Sequence, residues 1–148
     1  MRTLYAHFRS KDQLLAAMLE SHHGLALERI RRWSDRLSGS AEAMVRALFA
    51  ELAIWAAKPR WSSAGFIRLV VELADLPGHP ARTIARRHKA AVGSWLAEEL
   101  ARRRASDAAR RARQIVLLLE GCLVLMVIHG NRRYAQAAAQ AARLVIRD

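Results

Sequence analysis

Apolar residues recur at intervals of three and four along most of the chain, a period that predicts helices rather than strands. Ser10-Lys11-Asp12-Gln13 has the form of a capping box, with a hydroxyl first and a glutamine three residues on. It opens a stripe of Leu15, Leu19, His22, Ala26, Ile30, Trp33 and Leu37, which Ser38-Gly39-Ser40 ends. A second helix carries Met44, Leu48, Leu52 and Trp55 on one face and is stopped by Pro59. A third, near 62–74, is apolar on most sides and is expected to be central and covered. After the break at Leu76-Pro77-Gly78-His79-Pro80, a fourth runs to about Arg104 and should bury Ile84, His88, Ala91, Val92, Trp95, Leu96 and Leu100. Ser106-Asp107 is placed to cap a fifth helix ending near His129-Gly130. Asn131 is placed to cap a last one, with a stripe of Tyr134, Ala137, Ala138, Ala141, Leu144 and Val145. The expected fold class is all-α, about six helices in one bundle.

Composition agrees. Over 148 residues the chain is 53% hydrophobic, with seven glycines and three prolines, enough apolar content to bury a core. The longest apolar run, Ile115 to Ile128, includes Glu120 and is shorter than the roughly 20 residues a bilayer needs, so it reads as a buried core helix. A single cysteine, Cys122, precludes an internal disulfide and suits a reducing, cytoplasmic setting. The net charge of +12 fits either a polyanionic partner or arginine-rich helix surfaces, and charge alone does not choose between them.

Thr3-Leu4-Tyr5-Ala6-His7-Phe8-Arg9-Ser10-Lys11-Asp12-Gln13-Leu14-Leu15 is the most informative segment. Leu4 and Phe8, four apart, can pack onto one surface, leaving Thr3, Tyr5, His7 and Lys11 as a cluster of donors suited to phosphate oxygens. The string resembles the exit of the helix-turn-helix in the tetracycline-repressor (TetR) family of transcriptional regulators. The resemblance implies that Thr3, Tyr5, His7 and Lys11 touch the DNA backbone while Leu4 and Phe8 hold the helix-turn-helix together. It divides the chain into residues 1–10, the end of a DNA-binding domain, and 11–148, a ligand-binding and dimerisation domain. The two helices that precede the string in the family have no counterpart in the sequence, so little sequence-specific DNA binding is expected from this chain alone.

The resemblance continues downstream. Val71-Glu72-Leu73-Ala74-Asp75-Leu76-Pro77-Gly78-His79-Pro80-Ala81-Arg82 is similar to a family junction, and Leu117-Leu118-Leu119-Glu120-Gly121-Cys122-Leu123 to a string in its eighth helix. It implies a homodimer formed by the last two helices, with Leu123, Val127, Tyr134, Ala138, Ala142 and Val145 as interface candidates. Independently, the small residues of the last helix permit a close approach, and the fifth helix has more apolar faces than one core covers. An effector pocket is implied, with Trp55, Trp61, Phe66, His88, Trp95, Glu120, Cys122 and Met126 as candidate walls, a lining suited to an apolar or aromatic molecule. Each of these taken singly is more readily plain core. Glu120, amid apolar neighbours, needs a partner: an arginine, a helix end across a dimer, or a ligand.

Other constellations do not assemble. His22 and His23 are adjacent and point about 100° apart on a helix, so they do not chelate one metal together. Cys122 and His129 sit about 10.5 Å apart along a helix axis, too far for a nucleophile and its base. No catalytic pair, phosphate-cradling loop or zinc set is recognisable, and no enzyme activity or cofactor is expected. The expectation is a ligand-responsive transcriptional regulator, in the manner of a repressor, whose effector shifts a dimer bound to operator DNA. A helical dimer that only sequesters a small molecule, or that pairs with a full-length relative, is the alternative.

Overall fold

The computed structural model describes residue 8 and residues 10–34, 36, 38–58, 70–73, 76 and 78–147. Among them five long helices follow one another: α1 (Lys11–Ser34), α2 (Ala41–Ala56), α3 (Ala81–Arg102), α4 (Ala108–His129) and α5 (Arg133–Arg147). Residues 70–73 are helical, as expected for the third sequence segment, and no strand occurs among the described residues. The fold is all-α.

The helix ends follow local chemistry. Gln13 N–H donates to Ser10 Oγ at 3.2 Å, the amide half of a capping box. Ser40 Oγ accepts from Ala43 N–H at 3.2 Å and starts α2, while Gly39 takes the left-handed conformation (φ 88°) that separates it from α1. Asn131 Oδ1 accepts from Arg133 N–H at 3.0 Å at the start of α5. Asp107 takes the expected cap position of α4, in a left-handed conformation (φ 45°), but makes no side-chain cap bond; its carboxylate accepts from Arg110 Nε at 2.6 Å.

Among the described residues two apolar clusters hold the bundle. The larger joins Met44, Val45, Leu48, Phe49 and Leu52 of α2, Leu96 and Leu100 of α3, Ile115, Leu119, Cys122 and Met126 of α4, and Ala135, Ala138 and Ala142 of α5. Those alanines let α5 lie close against α2. The smaller joins Leu19 of α1 to Leu73, Ala81 and Ile84. Thus α1 is seated mainly on α3, through a cluster separate from the one that binds α2, α4 and α5 together.

Two buried charged side chains, Arg111 and Glu99, have specific partners. Arg111, 2% exposed, reaches the other end of α5: its Nη1 donates to the carbonyls of Val145 (2.9 Å) and Ile146, and its Nη2 to Ser106 Oγ at 2.7 Å. A cation at a helix C-terminus meets carbonyls that have no partner within the helix. Glu99, 1% exposed, pairs with Arg102 and Arg103. The arginines around the α3–α4 turn are therefore partly internal ties rather than a uniformly solvated surface.

Candidate functional site

The inner faces of α1, α2, α3 and α4 meet around a cavity of about 100 Å³. From α1 come His22, Ala26, Arg29, Ile30 and Trp33, the stripe that follows the capping box. Leu48, Leu52 and Trp55 come from α2, His88, Lys89 and Val92 from α3, and Leu119, Glu120 and Leu123 from α4. The walls are mainly apolar with a few convergent polar groups, the usual make-up of a small-molecule site.

The aromatic end is ordered by ring contacts. Trp33 and Trp55 meet edge to face, centroids 6.3 Å apart, and the Arg29 guanidinium lies 4.4 Å from the Trp55 ring centroid. Burial, followed by the charge of Arg32, lowers the pKa of Arg29. Among the described residues no carboxylate pairs with Arg29.

The polar end is built on histidines. The His88 ring, 6% exposed overall, stands at 90° to His23, and their Nδ1 atoms are 3.1 Å apart. Two neutral rings satisfy that contact only if one donates and the other accepts. Burial, then the nearby Lys89, His23 and His22, push His88 down to about 4. Burial also lowers His22, helped by Arg29 and Lys89. Both rings are therefore neutral near pH 7.

Glu120, which as a carboxylate among apolar residues called for a partner, accepts from Lys89 Nζ at 2.6 Å. This pair divides the cavity from an open groove of about 820 Å³ along α3 and α4, lined among others by Val71, Arg86, Gly121 and Leu125. Lys89 and Glu120 line both spaces.

Of the residues expected to line a pocket, Trp55, His88 and Glu120 come together here. Trp95 packs half-buried against the larger core, and Cys122 and Met126 lie within that core on the inner face of α4, so these three are packing residues. Burial raises the Cys122 thiol to about 11, which keeps it protonated and unreactive. Trp61 and Phe66 lie outside the described residues, as do Thr3, Tyr5 and His7 of the expected DNA contacts; Lys11 is the exposed first residue of α1. Arg29, Trp33 and Lys89 complete the cavity without having been singled out for it. The spacing of Trp33 did place it on the inward stripe.

The expected dimer residues separate as well. Ala138 and Ala142, at 8% and 0% exposure, are buried against α2 within the chain and are not free to meet a second copy. The alanine-rich helix carries small residues on several faces, and the one chosen is that which lets α5 approach α2. Leu123 is half-buried on the cavity wall, Tyr134 is half-buried and stacks on His129, and Val145 is half-buried. Val127 is exposed.

Nor is the run in α4 wholly a core element. Ile115, Leu119, Cys122 and Met126 face inward, but Leu117 (71% exposed), Leu125 and Ile128 (67%) face outward, and Leu144 of α5 is 63% exposed. With Gly121 and Val124 the outward residues of α4 form one stripe, about 16 Å from Leu117 to Ile128 at 1.5 Å per residue. Among the described residues α4 is the one helix long and apolar enough to cross a membrane by length and composition.

Nothing among known protein families, curated proteins or solved structures matches the chain.

Proposed function

We propose that these helices are the ligand-sensing, dimerising part of a TetR-type transcriptional regulator, acting as a repressor in the cytoplasm. One observation carries the reading: the cavity lies beneath the helix that continues the Thr3-to-Leu15 string. Arg29 and Trp33 wall the cavity from α1, and about 27 Å along the same helix lies Lys11, at the end that the resemblance assigns to the DNA-reading head. Because α1 is seated mainly on α3 through a small apolar cluster, a molecule wedged beneath it acts on the element joined to that head. A ligand that binds one seating of α1 more tightly than another shifts the population of operator-competent dimers.

The outward stripe of α4, with Leu144 of α5, supports the dimer. Exposed leucines and isoleucines aligned on one helix face call for a cover, and Gly121 at its centre permits a close helix crossing. Glu120 and Lys89 at its flank favour a second protein copy over lipid. Sedimentation velocity over a range of concentrations tests the reading. A helical homodimer is expected, while a chain that stays monomeric at high concentration, or that partitions onto neutral lipid vesicles, overturns it.

A further inference from the structure

The walls of the cavity also specify its occupant. Among the described residues around it, three carry permanent charge: Arg29, Lys89 and Glu120. Lys89 and Glu120 hold each other at 2.6 Å and cancel, and the histidines add no charge near neutral pH. That leaves one positive charge, on Arg29, which no carboxylate among the described residues neutralises. Its guanidinium carbon lies 4.4 Å from the Trp55 ring centroid, and a guanidinium carries its N–H donors in a single plane. A guanidinium fork matches a carboxylate, which it can hold through two parallel bonds.

Size and shape narrow the class further. A space of about 100 Å³ is smaller than the roughly 150 Å³ cavity known to take benzene, so one ring is the most it takes, and that with outward movement of its walls. Trp33 and Trp55 already meet edge to face, and a third ring completes that arrangement, while Leu48, Leu52 and Leu119 exclude water from its other side. A larger molecule would have to break the Lys89–Glu120 pair and extend into the groove beyond it.

We infer that the cavity takes a small aryl monocarboxylate, with its ring against Trp33 and Trp55 and its carboxylate on Arg29. The inference rests on the ligand-sensing reading above but names the chemistry that reading leaves open.

Benzoate is the probe, with benzamide as its uncharged counterpart of nearly equal shape. Titration calorimetry near pH 7 is expected to show benzoate binding at least tenfold more tightly than benzamide, with quenching of tryptophan fluorescence. Arg29→Gln is expected to weaken benzoate on the order of 10- to 100-fold while leaving benzamide within about twofold. Far-UV circular dichroism establishes that the variant is folded, and the comparison of the two ligands on the unaltered chain does not depend on any variant. Equal affinity for both compounds overturns the inference. So does an Arg29→Gln chain that binds benzoate like the parent, or failure of the parent to bind benzoate up to about 10 mM. A dimer that refuses benzoate defeats the ligand class alone, whereas a monomer defeats the regulator reading.

Discussion

Replacing Leu117 by asparagine separates the surface of α4 proposed to meet a second copy from the surface it uses in its own core. The side chain is 71% exposed in the single chain. Fully burying a leucine is worth about 1.5–3 kcal/mol, so covering this one contributes roughly 1–2 kcal/mol. A twofold interface counts it twice, about 2–4 kcal/mol, or roughly 30- to 1,000-fold in the dimer dissociation constant. An amide left in the apolar contact weakens it further. Sedimentation equilibrium of parent and Leu117→Asn reads the constant directly. At a dilution where both are monomeric, their urea unfolding should agree within about 0.5 kcal/mol, because the substitution touches no core contact. Ala142→Leu supplies the opposite pattern. At 0% exposure between α5 and α2, the added methyl groups overpack the chain and should cost about 1–3 kcal/mol of fold stability, dilute or concentrated. A Leu117→Asn chain that dimerises like the parent would refute the assignment of this stripe to the interface.

Two further expectations concern buried ionisable groups. His88 has a folded pKa of about 4, below its ordinary 6.5, so its contribution to stability is complete above pH 6.5 and is lost as pH falls toward 4. From that shift the loss reaches about 2 kcal/mol by pH 5, with His22 and His23 of α1 and Lys89 beside it opposing the added charge. Urea unfolding at pH 7.5 and 5 should show a steeper decline for the parent than for His88→Gln; parallel declines would contradict it. Arg111→Met removes charge-assisted bonds to the end of α5 but also relieves a buried cation, and a net loss on the order of 3 kcal/mol is expected in urea unfolding. A loss below about 1 kcal/mol would mean that the helix end holds without it.

Much of this architecture is legible in the chain because helix limits are set locally. Ser10 with Gln13, Ser40, Gly130 and Asn131 announce boundaries through bonds to residues two or three positions away, or through a left-handed backbone. Asp107 stands at the expected cap position, but its carboxylate has a choice of donors and accepts from a neighbouring arginine. Periodicity also finds the apolar face of a helix but not what that face meets. Cys122 and Leu123 are consecutive, yet one enters the core and the other the cavity. Ala138 and Ala142 have the composition of a dimer seam and serve an internal one. Arg29 and Lys89 escaped notice because long cations beside an apolar stripe usually belong to solvent; only the position of Trp55 and Glu120 on other helices draws them inward.

The separation of the two apolar clusters has an evolutionary consequence. The cavity occupies the seam between a tier that secures the bundle and a single helix resting on its own small footing. Exchanging Ile30 or Val92 leaves the principal packing of α2, α4 and α5 untouched, so the shape of the cavity can change at little risk to folding. On the proposed ligand-sensing reading, such a chain is free to diversify in what it detects long before it must change what it is.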